Sequence, residues 1–358
     1  MPLTSIDPST NKVITSYNEF SESQVADIIQ STYESHQNWN KSSLKFRLSC
    51  LNEMIGVLKD GTLEYSKLIA YEMGKPVLQA ESEINKCIWL CEYYFKNAET
   101  FLKDKIIDDK IQKYIITLQP LGVILGIMPW NFPFWQVFRF AVPTIIAGNG
   151  AILKHASNVQ GCGFAIESCF KKAGFPENIF RNISITSKNV ENVIKDNRVA
   201  AVTITGSTPA GRSVARIAGE NLKKTVLELG GNDPYVIFDD ANIDKAVDAC
   251  IDGRILNAGQ SCISAKRIIA TKGIYNTVLD KLENILQSKI MGDPRDNVDI
   301  GPLVSMSARD RVHMQVRRSI ESGAKLICGG FIPNLEGSFY PVTFLADVRP
   351  GMDAFDEE

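Results

Sequence analysis

Cys262 and Glu228 are the residues of this chain best suited to do chemistry. Cys262 follows Asn257-Ala258-Gly259-Gln260-Ser261, a small polar loop that would leave its sulfur open. Glu228 closes the apolar run Thr225-Val226-Leu227 and is followed by Leu229-Gly230-Gly231. A thiol attacks only as its thiolate, and a free cysteine is mostly protonated at neutral pH. A carboxylate nearby can take a proton from the thiol, or from a water that later attacks a thioester. The apolar run predicts that Glu228 is the tip of a buried strand, where burial would raise its pKa toward that of a useful base. The paired glycines let the chain turn sharply where another group must approach. Taken singly, each residue also has a bland reading, because most cysteines are packing residues and most strand-end glutamates are solvated.

Several classes are excluded by composition. The 358 residues suggest two domains or one large α/β unit, and a net charge of −2 leaves no basic stripe for nucleic acid. The eight cysteines (Cys50, Cys87, Cys91, Cys162, Cys169, Cys250, Cys262 and Cys328) form no C-x-x-C pair, and with three histidines no zinc site is expected. Scattered cysteines in a chain this long fit a reducing cytosol, so a cytoplasmic location is expected. Met1-Pro2-Leu3-Thr4-Ser5 lacks a basic or apolar leader region. The most apolar window, 138–153, is broken by Pro143, Gly148 and Gly150 and is too short to span a bilayer.

The elements that would position the pair can be read from periodicity. Residues 1–20 are polar and extended. Ser21 is placed to cap a first helix through Val25, Ile28 and Ile29; a second covers 45–58, Gly61 breaks the chain, a third ends at Gly74-Lys75-Pro76, and a fourth spans 78–102. Strands are expected at 113–118 and 123–128. From there strands and helices alternate: strand 123–128, helix 134–147, strand 151–154, helix 161–173, strand 179–183, helix 190–195, strand 200–205, helix 209–219 and strand 225–229. This predicts a parallel sheet covered on both faces, with ligands at the carboxyl ends of its strands. Beyond Gly231 a second α/β unit is expected, with strands at 235–238 and 267–270 and helices at 243–256, 275–290 and 307–323.

Four motifs in this order are more specific than any one of them. Pro129-Trp130-Asn131-Phe132-Pro133, Thr205-Gly206-Ser207, Glu228-Leu229-Gly230-Gly231 and Gly259-Gln260-Ser261-Cys262 together resemble the aldehyde dehydrogenase superfamily. The likeness runs from about residue 55 to 358, and the run 129–158 most resembles the bacterial succinate-semialdehyde dehydrogenases within it. The resemblance implies a Rossmann-like NAD(P)-binding domain over 1–229, with a helical layer at its start and a subunit-pairing hairpin at about 109–122. A catalytic α/β domain over 230–358 would follow. It also implies oxidation of an aldehyde to the acid, a homo-oligomer, and no metal, membrane or nucleic-acid partner.

The roles implied by the resemblance are specific. Cys262 attacks the aldehyde to give a thiohemiacetal, Asn131 and the Cys262 backbone N–H hold the oxyanion, and Glu228 activates the water that hydrolyses the thioester. Trp130, Lys154, Ser157, Gly206, Ser207, Leu229 and Glu358 would contact the cofactor. There is no G-x-G-x-x-G; Gly206 and Gly211 are five apart, and Thr205-Gly206-Ser207-Thr208 opens a helix whose N-terminus can hold a pyrophosphate. Ser157 stands where NAD-preferring members often carry Glu. Without that carboxylate a 2′-phosphate is not repelled and can pair with Lys154, which leans the cofactor to NADP over NAD. Arg139 resembles the arginine that clamps a substrate's distal carboxylate, whereas a second family arginine falls on Leu256, two residues from Arg254. The chain ends at Asp356-Glu357-Glu358, where family members continue through Phe-Gly-Pro into more sheet. The resemblance therefore implies a C-terminally incomplete catalytic domain, and a truncated, inactive remnant or partner-binding subunit is the alternative.

Overall fold

The computed structural model describes residues 3–108 and 112–358. Residues 109–111 of the expected pairing hairpin, and Met1 and Pro2, lie outside the described residues. The chain opens with a pair of short strands, β1 (Leu3–Asp7) and β2 (Lys12–Tyr17). Helix α1 (Glu22–Trp39) starts where sequence places it: the Ser21 hydroxyl accepts the Gln24 N–H and the Gln24 side chain accepts the Ser21 N–H, a reciprocal cap. The expected break at Gly61 does not occur, and α2 runs unbroken over Leu44–Met73. Each of its two interior glycines, Gly56 and Gly61, costs the helix about 1 kcal/mol, and Met54, Leu58, Tyr65 and Ile69, all buried, outweigh them. Helix α3 (Val77–Leu102) leads into a hairpin of β3 (Lys105–Asp108) and β4 (Lys113–Ile116), both exposed along their length.

The alternating region forms β5 (Val123–Met128), α4 (Trp135–Ile146), β6 (Gly150–His155), α5 (Gln160–Lys172), β7 (Phe180–Asn182), α6 (Val190–Lys195), β8 (Val199–Gly206), α7 (Thr208–Glu220) and β9 (Lys224–Leu229). The strands make one all-parallel sheet in the order β7-β6-β5-β8-β9, so chain order reverses between β5 and β8. Val123 and Leu125 face an aliphatic core with α1, α6 and α7, while Gly126, one residue on, is covered by the Phe140 ring of α4. Successive strand residues point to opposite faces, so helices lie on both sides of the central strands. The α4 and α5 side is aromatic: Phe134, Phe138, Phe170 and Phe180 stack in series at 6.4, 6.0 and 4.5 Å. Coverage fails at β9, an edge strand whose Val226 and Leu227 are exposed although its sequence reads as buried.

The chain divides into two compact units. The first holds Met1–Ser5, Ser16–Ser66 and Glu81–Leu229. The second holds Gly230–Glu358 and also Ile6–Thr15 and Lys67–Ala80, which chain order alone would group with the first. Specific bonds place these segments in it: Arg295 pairs with Asp7, and the Val77 N–H donates to the Pro294 carbonyl. Here β10 (Pro234–Ile237) and β11 (Arg267–Ala270) pair in parallel, and α8 (Ile243–Ile255) and α9 (Tyr275–Gln287) pack on them through Ile237, Val247, Ile251, Val278 and Leu282. Helix α10 (Met306–Glu321), the antiparallel pair β12 (Lys325–Cys328) and β13 (Phe344–Ala346), and α11 (Asp353–Asp356) complete it. The elements after 323 are three or four residues long, too short for periodicity to reveal. Among the described residues no helix is long and apolar enough to cross a membrane, and all eight cysteines are free thiols.

Candidate active site

Because the first unit's strands are parallel, residues at the ends of β5, β6, β8 and β9 share one edge of the sheet, and chain order reverses there between β5 and β8, the point at which sheets of this kind bind ligands. Beyond β5 the turn carrying Trp130 and Asn131, both half-buried, is held from two directions. His155, fully buried, sets its Nε2 3.0 Å from the Pro133 carbonyl and its Nδ1 3.2 Å from the Met128 carbonyl. Burial lowers His155 to about 4, so the ring is neutral. Its Nδ1 accepts the Ala156 N–H, which leaves its one proton on Nε2 for the Pro133 carbonyl. From α3, the Glu83 carboxylate accepts the Phe134 and Trp135 N–H groups, both at 2.9 Å, at the positive end of α4. Neither His155 nor Glu83 was legible as a site residue; a histidine ending an otherwise apolar strand was the only signal.

At the end of β6, Lys154 is 8% exposed, and burial pulls its pKa below the usual lysine range. Among the described residues it makes no ion pair. Ser157, half-buried, begins the turn that enters α5, and the Gln160 side chain ties that turn by donating to the carbonyls of His155 and Ala156. Gly206 ends β8, and Ser207 stands at the N-cap of α7 with its side chain making no cap hydrogen bond. Leu229 lies against Gly211 so closely that a Cβ there would collide with it, which brings the start of α7 down onto β9. A buried ammonium without a counter-ion and an open helix N-terminus are groups that hold phosphate oxygens.

Glu228 departs from expectation. It is on β9, the edge strand, and half of its side chain is exposed rather than buried. Its partner is Arg139 of α4, with Nη2 3.4 Å from Oε2. Arg139 is itself exposed, its side chain at 40%. The two residues expected to act on water and on a substrate carboxylate are thus brought together.

In the second unit, Cys262 follows a stretch of backbone that sequence did not announce. Asn257, Ala258 and Gly259 are all left-handed, with φ of 56°, 54° and 75°. The conformation costs an L-residue roughly 1–2 kcal/mol, so neighbours must enforce it. The Gln79 side chain accepts the Asn257 N–H and donates to the Asp299 carbonyl. Gln260 donates to the Asn257 carbonyl and accepts the Val304 N–H. Arg254, lowered by burial, donates to the Gly259 carbonyl and the Ser264 hydroxyl. Arg254 therefore supports this loop. Cys262 is half-buried, whereas Cys169 and Cys250 are buried. Lys266 donates to the Cys262 carbonyl at 3.0 Å and pairs with Glu358 at 3.5 Å. The Glu358 carboxylate lies over Gly230, where any side chain would collide with it. No group of three or more His, Cys, Asp or Glu among the described residues could hold a metal ion.

Residues 2–358 match the aldehyde dehydrogenase family. The chain belongs to that family. It is 39% identical to a succinate semialdehyde dehydrogenase of Escherichia coli named for NAD(P)+, over 99% of this chain and 77% of that protein. It is 38% identical to a succinate-semialdehyde dehydrogenase of Mycobacterium leprae named for NADP(+), over 100% of this chain and 79% of that one. Among solved structures, the succinic semialdehyde dehydrogenase of Streptococcus pyogenes in complex with NADP+ superposes with a TM-score of 0.97 at 32% identity, covering 99% of this chain and 78% of that chain. As an aldehyde dehydrogenase this chain has the α/β fold that its motifs implied. Nothing in these likenesses favours the remnant or partner-binding alternative.

Proposed function

We propose that this chain oxidises an aldehyde carrying a distal carboxylate, succinate semialdehyde foremost, to the acid with NADP or NAD. The observation that carries the substrate class is the exposed Arg139 guanidinium beside Glu228 at one sheet edge. A guanidinium presents a fork of donors that matches a carboxylate two-to-two. The relatives named for the same aldehyde support this reading.

The residues present fit the dinucleotide. Lys154 supplies an amine with no ion pair among the described residues, Ser157 adds no negative charge, Gly206 and Ser207 leave the α7 N-terminus open, and Trp130 and Leu229 flank that edge. These features favour NADP. Glu358 is the carboxylate proposed for the nicotinamide ribose. When bound, the cofactor takes up the hydride leaving the substrate carbon.

The chain's own residues do the rest. The Cys262 thiolate adds to the aldehyde carbon, and the Asn131 amide and Cys262 N–H stabilise the oxyanion of the thiohemiacetal. After loss of hydride the carbon is a thioester. Glu228 takes a proton from water as the water oxygen attacks the thioester carbonyl; the C–S bond breaks, the acid leaves, and Cys262 returns to thiolate. Eight free thiols suit a cytoplasmic enzyme.

The test is absorbance of reduced nicotinamide with succinate semialdehyde and NADP, the parent beside Cys262→Ala. Signal in the parent and none in the variant is expected. Reduction that persists at an undiminished rate in Cys262→Ala would overturn the assignment of the nucleophile, and an inert parent would overturn the activity.

A further inference from the structure

The Arg139–Glu228 pair has the wrong strength for a structural bond. Its 3.4 Å separation is an ion pair without a hydrogen bond, and the two side chains are 40% and 52% exposed. Among the described residues neither side chain has another polar partner. Exposed pairs of this kind contribute little and exchange readily with solvent and other ions. Yet the pair joins the two groups that the proposed reaction uses separately, one for the substrate's tail and one for the hydrolytic water.

We propose that Arg139 is a positioning residue that acts on Glu228: it holds the carboxylate aside until a substrate's distal carboxylate takes its place. This rests on the functional reading above. A carboxylate that meets both arms of the guanidinium makes two charge-assisted hydrogen bonds, against none in the resting pair. Two carboxylates share one guanidinium poorly, so the incoming group displaces Glu228, which is then free to accept a proton from water. An aldehyde with no distal carboxylate leaves Glu228 paired. Selection for a carboxylate-bearing substrate therefore acts on thioester hydrolysis as well as on binding.

The experiment compares the parent, Arg139→Leu and Arg139→Lys with succinate semialdehyde and with butanal, following acyl-enzyme hydrolysis by rapid quench and steady-state kcat and KM alongside. With succinate semialdehyde, Arg139→Leu is expected to lose about tenfold or more in kcat/KM, as a lost charged, two-donor contact does. With butanal it is expected to hydrolyse its acyl-enzyme about two- to fivefold faster than the parent, the scale of an exposed ion pair released. Millimolar propionate, a free carboxylate, should speed butanal hydrolysis in the parent and leave Arg139→Leu unchanged. Arg139→Lys, which keeps the charge but not the fork, should lose less in kcat/KM with succinate semialdehyde than Arg139→Leu. Butanal hydrolysis that is no faster in Arg139→Leu than in the parent, or no response of the parent to propionate, would sink the latch while leaving the dehydrogenase reading intact. A parent that oxidises neither aldehyde would remove the functional reading itself, and the latch with it.

Discussion

The ends of β5 and β9 lie on the same edge of the same sheet and are built in opposite ways. The turn after β5 is gripped by a buried neutral histidine and a buried carboxylate, so Asn131 sits on backbone that has little room to move. The end of β9 is an exposed strand edge where Glu228 has one exposed cation for company. The difference follows from what each group does in the proposed reaction. A donor to an oxyanion works by being in place before charge develops. A base that serves only the second half of the cycle gains from being movable, because it must stay clear while hydride leaves and then approach a water.

Asn131→Ala should show the largest effect at the fixed end. Loss of one preorganised oxyanion donor costs about 10²–10³ in kcat. No neighbour can slide in to compensate if the turn is as rigid as its bonds imply. Steady-state rates with succinate semialdehyde measure it, and a loss below about tenfold would show that the turn adapts and that the contrast with β9 is overstated.

His155 offers a way to test rigidity without chemistry. Its folded value of about 4 lies below the 6.5 of an ordinary histidine, so it binds a proton on unfolding. Stability contributed by keeping it neutral is present at pH 7, declines as pH falls below about 6.5, and levels off below about 4. The total loss is on the order of 3 kcal/mol. His155→Gln keeps a side-chain donor but does not titrate, so urea unfolding between pH 7 and pH 4 should lose most of this dependence. His36, also lowered by burial, has the same sign and leaves a residue of it. An unchanged pH dependence in His155→Gln would mean that the grip on the β5 turn is not through a buried neutral ring.

Sequence conveyed the sheet better than the site. Strong β-branched runs with turn residues at their ends placed β5, β6 and β8, and Asn131, Lys154 and Ser207 followed as strand-end residues. Glu228 was placed on the right strand end but given the wrong environment. Thr225-Val226-Leu227 reads as buried whether the strand is central or at an edge, because periodicity reports residue type and not what lies across from it. Gly61 misled in the opposite direction, since burial along α2 outweighed one residue's propensity. The cysteine loop was recognisable by its residues but not by its shape. Three left-handed residues in a row are held there by Gln79, Gln260 and Arg254, and contacts nearly 180 positions apart leave no local trace.

The smallest effects separate the two ends thermodynamically. Removing Glu83 by substitution with Leu leaves the Phe134 and Trp135 N–H groups without that acceptor, and losing the partner of a buried donor costs about 1–3 kcal/mol. Arg139→Leu removes one exposed ion pair and should change unfolding free energy by less than about 1 kcal/mol. Both can be read from one set of urea titrations at pH 7, with unchanged slopes showing that the unfolding transition itself is the same. The comparison depends on the gap between the two. If Arg139→Leu costs as much as Glu83→Leu, the pair with Glu228 is a structural bond, and a substrate carboxylate could not displace it cheaply. If Glu83→Leu costs as little as Arg139→Leu, the turn after β5 is not held by its carboxylate cap. Asn131 would then be no more fixed than Glu228, and its role would have to come from groups that move into place with the substrate.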